Sequence, residues 1–583
     1  MPSRGVLLTA AVLVAVGIGL APASSATTRP PGVSRPPAGS GIGTTAALTN
    51  PRCTTGNGYG VYGRFPGFTH AAQGTGQVCV RPWKRGADNG GATSRGVTRA
   101  RVRVVAIVPN DEQYGLLRSR GAAPVNRATG AAGSVTDLLH DSLLAQLPFV
   151  ETWGRDIELR FVTSTGSDET AQRADALTVA NLDPFAVLDL AVVGLPVLDA
   201  ELAKAKILVF GSATNTNNAR AQAPYRWGPT DSGATAINAA EVIGKQLVGE
   251  TAEFGGDDLK ARARRFGTVL INGADDPQRF AKALRRYGAS VASTNGYDAP
   301  GSPTGDPVTA WEQAPGIVTR LKSAGVTTVV LFSDASMNTA LMKQATAQQW
   351  YPEWFFTGTL AQEIAVLARG YPREQSVHAF GMANLGPSVS QDSQTQQLSI
   401  LNWYWGEGVG TGGSTDSGAV LWLLGGIQAA GPRLTPQTFR QGWFAAPARN
   451  GAADAQPVCC MIGYGRTAGL QYDSYATGGT DFALIWWDND TAGPSQWPIT
   501  VSGPGVAQYL DGAKRYRAGS WPTRQVKWFD RSTSIVQFDT QPVARVYIGD
   551  CTSCPSHGSP RTPGAPNPTG FVAKANGAGD EAL

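Results

Sequence analysis

The residues with chemistry to offer are few and widely spaced. The run KILVFGSATNTNNAR (206–220) ends its apolar stretch at Gly211 and continues with small, uncharged, hydrogen-bonding residues as far as Arg220. Ser212, Ala213 and Thr214 present two hydroxyls and a bare backbone, which suits close approach to a polar group without stranding an unpaired charge. The same composition makes an ordinary turn after a strand, and the residues alone leave both readings open. Asp275, Asp276 and Asp334 follow apolar runs and would have to converge to activate a water or hold a metal. Asp276, just before Pro277, reads as a helix N-cap in preference to a ligand group. His70, His140, His378 and His557 include no pair at metal-ligand spacing, so an HExxH site is excluded and structural zinc is disfavoured. Neither a G-x-S-x-G elbow nor a G-x-x-x-x-G-K-[ST] loop occurs. GYGVYG (58–63) matches G-x-G-x-x-G in letters, yet it follows no strand and leads into Arg64, Phe65 and Pro66 instead of a helix, so it reads as a loop. No cofactor is implied.

The opening MPSRGVLLTAAVLVAVGIGLAPASSA (1–26) has Arg4, an apolar stretch from Val6 to Leu20 and small residues at Ala21, Ala23 and Ala26, the pattern of a secretory signal peptide. The stretch is shorter than the roughly 20 residues a membrane span needs, and none later approaches that length. The expectation is a secreted, extracytoplasmic protein with no direct membrane insertion. No cysteine lies near the cleavage region, so a lipid anchor there is disfavoured. In an exported chain the six cysteines read as paired rather than catalytic. Cys53 and Cys79 are expected to close an N-terminal loop, and Cys459, Cys460, Cys551 and Cys554 to staple the tail. Neighbouring Cys459 and Cys460 are poorly placed to bond each other, and the connectivity stays open. CTSC (551–554) has redox-pair spacing but stands in no thioredoxin-like unit. A net charge of +5 with no basic cluster interleaved with aromatics argues against nucleic acid as a partner.

At 583 residues the chain must form more than one packed unit. From about residue 100 apolar runs of strand length alternate with helical spacing: RVRVVAIVP (101–109), DIELRFV (156–162), LDLAVVG (188–194) and KILVFG (206–211). The alternation resumes with FGTVLIN (266–272), SVASTNGY, TTVVLFSD (327–334) and EWFFTG (353–358). Helix starts are signalled at Ser134, Ser167 and Asp276–Pro277, and a helix is expected through Pro315. Near-continuous apolar strands separated by amphipathic helices imply parallel sheets covered on both faces. Two α/β lobes are therefore expected. Late helices around GAVLWLLGGIQAAG and TPQTFRQGWF, with the strand FALIWWD (482–488), must be added to one lobe or the other, so the chain should cross between lobes more than once.

Over 101–525 the chain resembles the type I periplasmic-binding-protein family, in particular the leucine/isoleucine/valine-binding branch of ABC-transporter substrate-binding proteins. The resemblance rests on RVRVVAIVPND, GSAT after the fourth strand, APYRWGPTDSGATA, FGTVLINGADDPQRFAKALRRYGASV, LKSAGVTTVVLFSDASMNTALMKQATAQQWYPEWFFTGT and YGRTAGLQYD, in that order. It implies two Rossmann-like lobes with parallel sheets, joined by three hinge crossovers and closing over a small ligand. The division expected is signal peptide 1–26, a Gly/Pro-rich extension with a Cys-closed loop 27–100, lobe 1 from 101–229 and 377–460, lobe 2 from 230–376 and 461–525, and a partly disordered tail 526–583. Ligands of open α/β sheets sit beyond the carboxyl ends of the strands.

On this resemblance Ser212, Ala213 and Thr214 hold the ligand's polar head. Asn110, Asp111 and Tyr114 could line the first lobe, with a solvated turn as the alternative, and Ser333, Asp334, Thr357 and Thr359 are the second-lobe contacts. The chain departs from amino-acid binders at Gly194, Leu195 and Pro196, which offer no side-chain donor after the third strand, and near FFTGT, where Glu363 is the nearest acid. The ligand implied is amino-acid-like or less charged. The function implied is a secreted, non-enzymatic solute-binding protein for ABC-type uptake through a membrane permease. The alternatives are an extracellular sensing module that signals to a receptor and, less favoured, a hydrolase using Asp275, Asp276 and Asp334.

Overall fold

Strand β1 (Arg101–Val108, RVRVVAIV) is apolar at nearly every position, and its side chains feed two separate cores: Val102, Val104 and Ala106 on one face, Val105 and Ile107 on the other. A strand of that kind is stable only inside a sheet covered on both sides. The computed structural model shows this arrangement and describes residues 80, 83–119, 135–147, 150–191, 195–211, 216–228, 231–272, 277–299, 307–359, 362–385, 414–445, 464–466, 469–476, 480–493, 503–536, 569–575 and 580–583. The signal-peptide reading, GYGVYG, all six cysteines, His70, His557, Gly194, Ser212, Ala213, Thr214, Asp275 and Asp276 lie outside the described residues.

Lobe 1 is built on β1 with β2 (Asp156–Thr163), β3 (Ala186–Asp189), β4 (Leu208–Phe210) and β5 (Arg226–Trp227), parallel and in the order β2-β1-β3-β4-β5. Between them run helices α1 (Asp111–Ser119), α2 (Val135–Gln146), α3 (Glu169–Asn181), α4 (Pro196–Lys204) and α5 (Thr216–Ala221). Asp168, one residue beyond the expected Ser167, caps α3 by accepting from the backbone N–H groups of Thr170 and Ala171.

Lobe 2 repeats the order with β6 (Phe266–Ile271), β7 (Val291–Tyr297), β8 (Thr328–Phe332), β9 (Glu353–Phe356) and β10 (Ala379–Ala383), arranged β7-β6-β8-β9-β10. Its helices are α6 (Ser232–Gln246), α7 (Pro277–Leu284), α8 (Pro307–Ser323, continuous through Pro315), α9 (Ala335–Ala347), α10 (Ala365–Ala368) and α11 (Arg373–Ser376). Helices α12 (Ser414–Ala430) and α13 (Pro436–Ala445) then return to lobe 1, where Trp422, Phe439 and Trp443 join its core around Trp227. A short ribbon, β11 (Gly465–Arg466) and β12 (Asp473–Ser474), precedes β13 (Asp481–Gly493), β14 (Gly503–Tyr509), β15 (Arg515–Arg517) and β16 (Ile535–Val536), which extend the lobe 2 sheet antiparallel beyond β10. The chain thus passes from lobe 1 to lobe 2 after β5, back after β10, and over again after α13.

Three expected boundaries shift. Residues 83–100 are no linker but pack on lobe 1, with Trp83 edge-on to Trp153 at 6.0 Å. Buried Arg155 donates there to the carbonyls of Asn89, Gly91 and Thr98, and also to that of Pro432. Strand β10, placed with lobe 1 from residue 377 by the sequence, pairs parallel to β9 because Phe380 and Met382 fill a lobe 2 core. In the tail beyond 525, β16 still belongs to lobe 2, and β17 (Gly570–Ala573) with β18 (Asp580–Ala582) returns to lobe 1 as an antiparallel edge on β2. Phe571 makes that return favourable by packing on the His140 ring at 4.6 Å, and the added pair covers the edge of β2.

Candidate functional site

The carboxyl ends of both sheets meet at the hinge. The first crossover leaves β5 at Gly228, whose N–H donates to Tyr475 O at 3.2 Å on the third crossover. Asp231 follows and caps α6 by accepting from Ala234 N at 2.9 Å. Its buried carboxylate also accepts from Thr216 Oγ1 (3.0 Å) in lobe 1 and from Tyr472 Oη (2.7 Å) and Ser474 Oγ (2.5 Å) on the third crossover. Burial and the neighbouring Asp231 charge push the Tyr472 hydroxyl far above the usual phenol range, so it stays a donor. A small crevice beside this cluster is lined by Thr216, Gly228, Asp231 and Tyr475 among others. The first turns of α5 and α7 face each other across the lobes, with Arg279 Nη2 donating to Asn217 Oδ1 at 3.3 Å.

On the lobe 1 side, Gly211 ends β4 directly over Asp199: a Cβ there would stand 2.3 Å from both carboxylate oxygens. Asp199 faces Arg226 at 3.6 Å, and the nearby carboxyl of Asp189 is held well above the usual range, first by burial and then by Asp199. Asp189 accepts from the backbone N–H groups of Ala191 and Leu195, so the carboxyl on β3 holds the backbone at Leu195, where the chain offers no hydroxyl. Asn110 and Gln113 bond each other's backbone N–H groups reciprocally at the start of α1, a capping box. Tyr114 Oη accepts from Val135 N and holds the start of α2.

The lobe 2 residues form a closed polar shell. Buried Ser333 donates to Asn338 Oδ1, and Asp334 caps α9 through Met337 N while accepting from Tyr297 Oη at 2.5 Å. Burial raises the Asp334 carboxyl despite that bond. Thr357 Oγ1 lies 2.7 Å from Leu331 O and 2.7 Å from half-buried Thr359 Oγ1. Gln362 Nε2 ties the shell together by donating to the carbonyls of Leu331 and Ser333. Glu363, fully buried, accepts from Leu385 N through Oε1 at 2.9 Å, while its Oε2 has no hydrogen-bond partner. Burial pushes its carboxyl up to about 7. Arg515 lies near but is turned to Asp481 and to the carbonyls of Asn384 and Leu385. Among the described residues no group of three or more His, Cys, Asp and Glu side chains gathers to hold a metal ion.

Two sheets of one strand order, between which the chain crosses after β5, after β10, after α13 and once more after β16, define the architecture. Both lobes carry the same strand order, the arrangement that the resemblance to the type I periplasmic-binding-protein family implies. No protein-family model matches the chain, and no curated protein matches it in sequence. Among solved structures it is similar to a solute-binding protein of an ABC transporter from R. palustris in complex with benzoate (11% identity, 72% of this chain and 99% of that one, TM-score 0.42). It is also similar to a fatty acid ABC transporter substrate-binding protein from Thermomonospora curvata (12%, 73% and 97%, 0.40). A third is the branched-chain amino acid transporter substrate-binding protein LivJ from Streptococcus pneumoniae in complex with isoleucine (11%, 70% and 99%, 0.40).

Sequence reasoning singled out Asp334 and Thr357 but missed the partners that enclose them. It also missed Asp231 as a meeting point of two lobes. The Asp before SGATA signals an N-cap and nothing more, because its other partners come from residues 216, 472 and 474.

Proposed function

We propose that the chain is a secreted solute-binding protein that captures a small molecule between its lobes by hinge closure, for delivery to an ABC-type permease. The observation that carries this reading is the meeting of both sheets' carboxyl ends at one hinge, with α5 and α7 facing across it through Asn217 and Arg279. Loops at strand carboxyl ends offer free backbone donors to a ligand, and closure then follows from contacts better made in the closed state. The loop of Ser212, Ala213 and Thr214, which follows Gly211 and precedes Thr216, is assigned the ligand's polar head. Thr359, Asn110 and Tyr114 are assigned to the walls, with Ser333, Asp334 and Thr357 supporting the second lobe. No helix of the described residues is long and apolar enough to cross a membrane.

The ligand assigned is amino-acid-like or less charged, because the lobe 2 shell is closed on itself and Glu363 lies buried behind it. A thermal-shift screen of amino acids, aromatic carboxylates, fatty acids, amides and sugars tests the proposal. A cognate compound at a hundredfold excess over its Kd should add about 2.7 kcal/mol to the native state. Turnover of an ester, amide or phosphate with no compound shifting the melting temperature would overturn it in favour of the hydrolase.

A further inference from the structure

The hinge holds a polar cluster that ligand capture does not by itself require. Asp231 stands on the first crossover, between lobe 1 strand β5 and lobe 2 helix α6. Its Oδ1 accepts from Thr216 Oγ1, Tyr472 Oη and Ala234 N, and its Oδ2 from Ser474 Oγ. These donors come from lobe 1, the third crossover and lobe 2, so one carboxylate joins three parts of the fold. Thr216 Oγ1 in turn accepts from Gly233 N at 3.0 Å, a second bond from the same lobe 1 side chain to lobe 2. Gly233 leaves no room for a looser arrangement: a Cβ there would lie 2.5 Å from Thr216 Oγ1, 2.7 Å from Tyr472 Oη and 3.1 Å from Arg279 Nε. Arg279 completes the cluster from α7, with its guanidinium carbon 4.6 Å from the Tyr472 ring centroid and its Nη2 on Asn217.

We propose that Asp231 is a hinge bolt: with Thr216 and Tyr472 it fastens α5 to the crossovers, and Arg279 clasps the same helix to lobe 2, so that the cluster sets the resting angle between the lobes. Buried hydroxyl-to-carboxylate bonds are geometrically demanding and costly to leave unmade, which makes such a cluster a discrete stop instead of a soft spring. Asp231 is a positioning residue here. The inference rests on the ligand-capture reading only for its consequence on binding; the lobe angle is a property of the free protein.

The test is the interlobe distance in ligand-free, full-length protein, measured by pulsed electron resonance between labels at Leu177 in lobe 1 and Glu312 in lobe 2, both exposed. Labels are introduced as noncanonical amino acids so that the native cysteines stay untouched. Thr216→Val and Tyr472→Phe each remove one donor to Asp231 at nearly constant volume, and Arg279→Ala removes the clasp. Thr328→Val is the matched control, because it deletes an equivalent buried hydroxyl bond, Thr328 Oγ1 to Glu353 Oε2 at 2.6 Å, inside lobe 2. The three hinge variants should broaden the distance distribution and move its mean by more than the wild-type width, while the control, though destabilised alike, superimposes on the wild type. Hinge variants that superimpose on the wild type, or a control that moves as far as they do, would overturn the bolt. If the distances shift as expected and no compound of the screen binds, the bolt stands and ligand capture falls. If a compound binds while the distances stay unmoved, ligand capture stands and the bolt falls.

Discussion

Glu363 offers a measurable electrostatic signature of the closed shell in lobe 2. Its carboxyl is fully buried, Oε1 accepts from Leu385 N, Oε2 has no hydrogen-bond partner, and the nearby backbone N–H groups of Glu363 and Asn384 offset the burial only in part. Arg515, whose charge acts on it, is hydrogen-bonded to Asp481. Desolvation therefore outweighs stabilisation of the charged form, and the group rises from an ordinary value of 4.5 to about 7. The native state thus holds this proton more tightly than the unfolded chain does. Its contribution to stability is complete below about pH 4.5 and is lost as the pH climbs through 7, a swing of about 3 kcal/mol at roughly 1.4 kcal/mol per pK unit.

Glu363→Gln keeps an acceptor for Leu385 N and removes the titration. Unfolding by urea across pH 4.5 to 8 should show the wild type losing about 3 kcal/mol relative to this variant as the pH rises. Other buried groups with displaced titrations, Asp189, Asp334 and His378, are common to both proteins and cancel in the difference. Infrared difference spectra should show a protonated-carboxyl band that disappears near neutral pH in the wild type and is missing from the variant. A difference in stability that stays flat across this range would refute the reasoning, since it would mean that the carboxylate finds solvent or a cation in the native state.

Two further outcomes follow from single contacts. Arg155→Met removes a buried guanidinium that donates to four backbone carbonyls, so it should cost about 3 kcal/mol or more in chemical denaturation and expose residues 83–100 to limited proteolysis. Gly211→Ala puts a methyl 2.3 Å from the Asp199 carboxylate, so it should cost about 1–3 kcal/mol and weaken binding of any ligand found by thermal shift, as calorimetry would show.

Much of the scaffold could be read from the order of residues. The apolar runs at 101–109, 206–211 and 327–334 and the start of α3, read one residue early at Ser167, are local signals, because strand and helix periodicity and capping depend on neighbours a few positions away. The candidate site was legible only in part. Asn110 and Asp334 stand at strand ends, as their spacing implies, but both are helix caps with partners of their own.

The sequence by itself therefore determined that two α/β lobes form, since near-continuous apolar strands need helices on both faces. Only the tertiary structure decided that β10 belongs to lobe 2, that Phe571 brings the chain's last strands back to the edge of β2, and that a carboxylate at 231 meets hydroxyls at 216, 472 and 474. The physical reason is range. Propensity and periodicity act over a few residues, whereas the partner of a buried polar group is chosen by which distant segments the cores bring together, 243 positions apart for Asp231 and Ser474.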